Sequence, residues 1–321
     1  MRRVGISAPA IVLALGLLLA GCTGPGPAPS PPPSTPVPSG AASSPPATDT
    51  ASPSAYARRT VDHVVIIVME NKAASRILGA EDAPYLNSLA KDYALAANYH
   101  AVTRPSLPNY IALTSGTTAG ITRNCGPAAD SCQADVRTIA DEITLSGRDW
   151  RMYAEGMPGP CLAEDSGRYA VKHNPFMYYP SVTDDRESCA NHVVPLSWLD
   201  DDLKSARTLP DYVFITPDMC SSTHDCPVRT GDDWLSRQVP KILASPAFTS
   251  KNSLLVVTYD EGRGSSNQVA TVFAGPAARK GYTSDTRFTH YSLLRTVEDA
   301  WGLDPLTDND RDAAGMAELL K

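Results

Sequence analysis

The chain has 321 residues, a formal net charge of −7 and a sequence pI near 5.4. That acidic balance excludes nucleic acid as the main partner, because binding a phosphate backbone calls for a basic face. Beyond the N-terminal twenty or so residues no stretch is long and apolar enough to span a membrane, and the remaining length suits one large domain with a substantial core.

The chain opens with Arg2-Arg3 and the apolar run Ile6 to Ala20, long enough for the core of an export signal but short for a membrane span. Small residues then lead into a cysteine at Leu19-Ala-Gly-Cys22, a pattern that resembles the bacterial lipobox. Lipidation at Cys22 would anchor the protein, since two or more acyl chains hold far better than one. An ordinary cleaved signal with an incidental cysteine is the alternative. From residue 23 to about 54 the sequence is almost wholly Pro, Ser, Thr, Ala and Gly, including Pro31-Pro32-Pro33. Such a segment has nothing to bury and predicts an extended, disordered tether rather than a ligand for a proline-binding partner. The expected division is a signal at 1–21, a tether at 22–57 and a globular domain at 58–321, exported and anchored to the outer face of the cytoplasmic membrane or the cell envelope.

Of the seven cysteines, Cys22 is set aside for lipid, which leaves Cys125, Cys132, Cys161, Cys189, Cys220 and Cys226. An even remainder in an exported domain predicts disulfides, and pairing of sequence neighbours gives Cys125–Cys132, Cys161–Cys189 and Cys220–Cys226, although other connectivities remain open. A zinc cluster is the competing reading; the spacings lack the close paired-ligand pattern of structural zinc sites.

Val64-Val-Ile-Ile-Val-Met69 is a continuous apolar run that stops at Glu70-Asn71. This is the pattern of a buried central parallel strand delivering polar side chains at its carboxyl end, where open α/β sheets place their sites. The spacing of Leu86, Leu89 and Ala90 behind Pro84 predicts a helix. Next, Thr103-Arg-Pro-Ser-Leu-Pro-Asn-Tyr110 sets Ser106 between two prolines, just ahead of the apolar Tyr110-Ile-Ala-Leu-Thr114. The hydroxyl is therefore expected at a helix N-terminus, where free backbone N–H groups attract anions. A helix follows at Ile139 to Leu145, then a strand near Trp150 to Tyr153 and a short strand at Tyr212 to Thr216 ending in Pro217-Asp218. Leu254-Leu-Val-Val-Thr-Tyr259 is a second buried-strand run, and it also ends in acids, Asp260-Glu261, before Gly262. Val269 to Ala274 reads as a strand and His290 to Trp301 as an amphipathic helix stopped by Gly302. Alternation of this kind predicts an α/β domain with a mainly parallel sheet covered on both faces. In such a sheet Glu70, Asp260 and Glu261 emerge on one rim, where their mutual repulsion asks for a cation; a divalent metal ion, its identity open, answers it.

Several blocks then match in order: Met69-Glu-Asn71, Ala83-Pro-Tyr-Leu86, Pro105-Ser-Leu-Pro-Asn-Tyr110, Lys172-His-Asn-Pro-Phe176, Pro217-Asp218 with Thr223-His-Asp-Cys226, Thr258-Tyr-Asp-Glu-Gly262 and Thr289-His-Tyr-Ser-Leu-Leu-Arg-Thr296. Together they resemble the bacterial phosphoesterase family that contains acid phosphatase A and the phosphatidylcholine-type phospholipases C, over about Val61 to Leu303. The resemblance implies an alkaline-phosphatase-like α/β fold, a three-layer sandwich, and a metal that supports a hydroxyl nucleophile attacking phosphorus. By matching motif it implies Glu70, Asn71, Asp260 and Glu261 as metal ligands and Ser106 as the nucleophile, its oxygen also on the metal. Relatives often have His-Pro-Ser where this chain has Arg104-Pro-Ser106, so that histidine's role is lost or passes to the arginine, which is suited to holding phosphate.

Metal coordination would lower the hydroxyl's pKa, and histidines, an asparagine and a helix N-terminus would surround the phosphoryl oxygens. His173 and His224 are the expected catalytic histidines, one protonating the leaving alkoxide. Arg104, Asn174, Asp225 and His290 are the expected substrate-binding residues. Each has a plainer alternative. Glu70-Asn71 and Ser106 could cap helices, Asp260-Glu261-Gly262 could be a turn, His224-Asp225 could brace a disulfide loop, and His173 and His290 could be satisfied buried histidines. His63, His100 and His192 are read as structural or surface residues. The expected function is a phosphomonoesterase of acid-phosphatase type acting on a small phosphorylated substrate. The alternatives are a phospholipase C acting on phospholipid, against which stands the short stretch after Gly302, and a non-catalytic lipoprotein that binds a phosphorylated ligand.

Overall fold

The structure, a computed structural model, describes residues 61–321; the signal, the tether, Cys22 and the first residues of the 58–321 division lie outside the described residues. The first five strands are β1 (Val64–Met69), β2 (Ala94–Ala96), β3 (Tyr99–His100), β4 (Trp150–Ala154) and β5 (Val193–Pro195). They are followed by β6 (Tyr212–Thr216), β7 (Leu254–Tyr259), β8 (Val272–Ala274), β9 (Tyr282–Ser284) and β10 (Phe288–Thr289). Eight of them form one sheet in the order β5-β4-β6-β1-β7-β8-β2-β9, while β10 pairs with β3 apart from it. The first five neighbours run parallel; β8 alone is reversed, antiparallel to both β7 and β2.

β1, β6 and β7 take the centre because each is an unbroken apolar run, and all their residues are buried. Full burial of each such Val, Ile or Leu contributes about 1.5–3 kcal/mol. One helical group packs α1 (Pro84–Asp92) with the long helix Val228–Leu243, and another packs α2 (Ser106–Ser115) with α3 (Ile139–Leu145) and the helix His290–Trp301. This is the expected α/β architecture.

Register decides what meets at the rim. Met69 lies opposite Tyr259, so the next residues, Glu70 and Asp260, leave adjacent strands side by side, and Asp260 N donates to Met69 O at 2.9 Å. The strand expected at Val269 to Ala274 starts only at Val272, because the residues before it turn to another partner: Val269 N donates to Tyr99 O at 2.9 Å and Gln268 bridges to His100. The helix Val228–Leu243, absent from the sequence reading, buries Val228, Trp234, Leu235, Val239 and Ile242 at helical spacing, with Gly231 and Asp232 on the same face and Pro240 on the exposed one. Asp232 is nevertheless used: it accepts from the free amides of Tyr85 and Leu86 at 2.9 Å each, capping α1 from outside.

The far end of α2 is pinned by acids. Gly116 ends the helix in the left-handed conformation (φ 71°), and a Cβ there would come 2.1 Å from Asp310 Oδ1. Beside Asp310, buried Glu298 has its carboxyl pushed up to about 9, first by burial and then by the charge of Asp310. Native Glu298 therefore keeps a proton that the unfolded chain releases near its ordinary value, so stability falls as pH rises across that window, by up to about 1.4 kcal/mol per pH unit. Glu298→Gln, which mimics the protonated group, should remove this slope and raise the urea midpoint above wild type at pH 8 but not at pH 5. Equal midpoints for the two proteins at both pH values would contradict the assignment.

Candidate active site

The chain turns sharply after β1, with Asn71 in the left-handed region (φ 58°), a conformation Asn tolerates. The turn brings the Asn71 amide N–H to Asp260 Oδ1 (2.8 Å) and its side-chain Nδ2 to Glu70 Oε2 (2.9 Å). Ser106, the first residue of α2, donates to the same Oε2 at 3.2 Å. The other oxygen, Oε1, accepts from Tyr110 Oη at 2.5 Å and lies 3.1 Å from His173 Nε2. Both Glu70 and Ser106 are buried, so these contacts are sheltered from water.

Electrostatics at this rim follow from burial. The Glu70 carboxyl is pushed well above its ordinary value, first by burial and then by the charge of Asp260. Asp260 moves up for the same first reason, opposed by the hydrogen bond from Asn71 N. Glu261 rises to about 7 through burial and Asp260, against the pull of Arg104, Lys172 and Arg263. His173 falls well below the usual imidazole range, first through burial and then through Lys172 and His224. Neutral His173 stacks on Tyr110, ring centroids 5.5 Å apart.

His224 sits on a loop closed by the Cys220–Cys226 disulfide. Its Nδ1 faces Asp225 Oδ1 at 2.7 Å and its Nε2 faces Lys172 Nζ at 3.2 Å. A carboxylate at Nδ1 places that nitrogen's proton, leaving Nε2 as the acceptor toward lysine. The loop is stitched to the strand end: Glu70 N donates to Ser222 O (2.9 Å) and Thr223 Oγ1 donates to Glu70 O (2.8 Å). Thr223 itself is held at φ 75°, which costs a β-branched residue about 1–3 kcal/mol.

Asn174 is buried, its Nδ2 donating to Tyr169 Oη at 3.0 Å and its Oδ1 without a partner. The exposed Arg104 turns its guanidinium to the loop after β7, with Nε donating to Gly262 O at 3.1 Å and Nη2 to Gly264 O at 2.5 Å. His290 is enclosed, Nε2 on Asp260 O at 2.7 Å and Nδ1 on Tyr99 Oη at 3.0 Å, so both ring nitrogens are taken by protein. The disulfides Cys125–Cys132 and Cys161–Cys189 are also formed, as neighbour pairing anticipates. His63, His100 and His192 bond to Pro210 O, Ser266 O and Ser188 O respectively, away from this group.

The residues suit a divalent cation. Asp260 Oδ2, Glu261 Oε2 and His173 Nε2 are buried without hydrogen-bond partners around a crowded set of acids, and carboxylate, amide, hydroxyl and imidazole donors are those such ions take. Among the described residues, Glu70, His173 and His224 offer ligand atoms within 4.8 Å of one another. Two contributors, Tyr110 and Lys172, lie within the matched motifs without a role assigned to them there. Helical spacing is the signal for the first, four residues after Ser106; the second had only its place beside His173.

The start of α2 departs from a simple anion cradle. Pro105 and Pro108 have no N–H and Leu107 N is given to Asn124 Oδ1 at 3.0 Å, so holding a phosphoryl group falls mainly on side chains.

The model of the phosphoesterase family matches residues 77–304. A phosphatidylinositol-3-phosphatase of Mycobacterium tuberculosis is 37% identical over 268 residues, covering 83% of this chain and 85% of the relative. A phosphate-repressible acid phosphatase of Penicillium chrysogenum is 35% identical over 240 residues, and there the match spans 69% of this chain but only 55% of the longer fungal protein. Among solved structures, an alkaline phosphatase superfamily protein from Vibrio parahaemolyticus superposes with a TM-score of 0.58 at 13% identity, over 81% of this chain and 70% of that one. Murine ectonucleotide pyrophosphatase/phosphodiesterase 5 does so with 0.53 at 12% identity, over 81% of this chain and all of that one. The structural likenesses establish the fold.

Arg104→Met removes the tethers on Gly262 and Gly264. Amide exchange across 262–267 is expected to quicken about tenfold or more while that of β1 and β7 stays unchanged; unaltered exchange in the loop would show that the guanidinium does not hold it.

Proposed function

We propose that this chain, which belongs to the phosphoesterase family and is a phosphoric ester hydrolase, is an exported, metal-dependent phosphomonoesterase of acid-phosphatase type with Ser106 as its nucleophile. The observation that carries the reading is the Ser106 hydroxyl 3.2 Å from Glu70 Oε2, at a strand end where Asp260 Oδ2 and Glu261 Oε2 are buried without a hydrogen-bond partner. Glu70, Asn71, Asp260 and Glu261, with Ser106 Oγ, would hold the cation. When bound it supplies charge that lowers the serine's pKa and offsets the negative charge developing on the phosphoryl oxygens.

The chain's own groups supply the rest. Ser106 points its proton at Glu70 Oε2, which takes it as the serine oxygen attacks phosphorus. The phosphorus–alkoxide bond breaks as the serine–phosphorus bond forms, giving a phosphoserine. The departing alkoxide takes a proton that His224 Nε2 receives from Lys172 Nζ and passes on, with Asp225 at Nδ1 balancing the charge that His224 carries in transit. In the second step His224 Nε2 takes a proton from the water that hydrolyses the phosphoserine and returns it to Lys172, while Glu70 gives the serine back its proton. His173, buried and neutral, orients rather than protonates. Asn174 is held by Tyr169 through Nδ2, and Lys172 would add positive charge nearby. Arg104 and His290 act as supports of the late strand and its loop.

The disulfides fit an oxidising compartment, and none of the described helices is long and apolar enough to cross a membrane. Export accords with the disulfides, and the anchor at Cys22 rests on the Leu19-Ala-Gly-Cys22 pattern. The phosphatidylinositol-3-phosphatase relative favours a monoester on a lipid headgroup within the substrate range.

Ser106→Ala should cut p-nitrophenyl phosphate turnover by about 10³-fold or more, exhaustive chelation should silence the wild type, and added divalent metal should restore it. A phosphoinositide monoester should be cleaved and a phosphatidylcholine analogue spared. Full activity in Ser106→Ala, turnover indifferent to chelation, or preference for the diester would each defeat the proposal.

A further inference from the structure

We infer that Tyr110 is a positioning residue that fixes Glu70 from the helix carrying Ser106, so that nucleophile and metal ligand are set against each other by one rigid element. The inference deepens the function proposed above and rests on it.

Residues four apart share a face of an α-helix, so Ser106 and Tyr110 look the same way from α2. They divide one carboxylate between them: Ser106 Oγ donates to Glu70 Oε2 at 3.2 Å and Tyr110 Oη to Oε1 at 2.5 Å. The last torsion of a glutamate side chain is soft, with a broad energy profile. Two donors on one helix face, one to each oxygen, remove that freedom. Ligand carboxylates oriented by a further hydrogen bond hold metals better, and losing such a partner typically costs about 10–100-fold in affinity or activity.

Tyr110 is built for a fixed aim. It is fully buried, its ring stacks on His173 at 5.5 Å and meets the edge of Phe214 at 6.3 Å, so the phenol cannot swing away. With water excluded, the Glu70 oxygen is the acceptor available to its hydroxyl. The same ring holds His173, whose Nε2 lies 3.1 Å from Glu70 Oε1. Thr114, a further four residues along the helix, donates to Tyr110 O at 2.8 Å and contacts Tyr179, not the site. It is the natural control.

The test uses the exported domain as a whole, with Mn²⁺ as the metal probe. Tyr110→Phe should weaken Mn²⁺ binding about 10–100-fold. At saturating metal it should lower kcat about tenfold or more while KM for p-nitrophenyl phosphate stays within about twofold. Thr114→Val should leave Mn²⁺ affinity at the wild-type value. Wild-type affinity and kcat in Tyr110→Phe would overturn the inference. Were that variant too unstable to assay, a cycle with Glu70→Gln decides: in the Glu70→Gln background Tyr110→Phe should lower Tm less than in wild type, whereas strictly additive losses would overturn it. Failure of wild type to bind Mn²⁺, or full turnover by Ser106→Ala, defeats the proposed metal-dependent Ser106 mechanism itself and is read separately.

Discussion

A carboxylate buried at the end of a central strand, next to a second one on the neighbouring strand, is the constraint on which this structure turns. Pairing of Met69 with Tyr259 forces Glu70 and Asp260 together, and both are fully buried. Unpaired buried charges carry an effective penalty of several kcal/mol each. Hydrogen bonds from Asn71, Ser106 and Tyr110 reduce that penalty without removing it, as the raised Glu70 and Asp260 carboxyls show. A cation ligated there would relieve the remainder, so binding it and stabilising the native fold are linked.

Around this pair the fold spends local stability to hold position. Thr223 is kept in a conformation unfavourable to its residue type, and the bonds it makes to Glu70 and receives from Lys72 tie the His224 loop to the first strand. Gly262 has to be glycine, since a Cβ there would come 2.6 Å from Gln268 O. The late loop is in turn clasped by Arg104, and His290 supports the backbone of Asp260 from below. A site spread over residues 70 to 290 of the chain is thus held by many short, mostly backbone-directed contacts.

The central strands and the rim acids were legible because a doubly covered strand has to be apolar throughout, and an acid that ends such a run stands out. Ser106 at the start of α2, the helices at 139–145 and 290–301 and the three disulfides were legible for similarly local reasons. The short strands β2, β3, β5, β9 and β10 were not, since two or three residues show no periodicity and their pairing is set by distant partners. Nor was the reversal of β8, a property of its neighbours rather than of Val272–Ala274. At the site, residue type could name histidines but not their orientation: His224 faces Lys172 and Asp225, while His290 is closed off between Tyr99 and Asp260.

The proposed site holds one cation on the Ser106 side of Glu70. The most direct test is anomalous diffraction from crystals of the Mn²⁺-loaded domain. The account predicts a single strong peak within about 2–2.5 Å of oxygens from Glu70, Asp260 and Ser106. A peak seated instead between His173 and His224, with the Asp260 oxygens left bare, would contradict it.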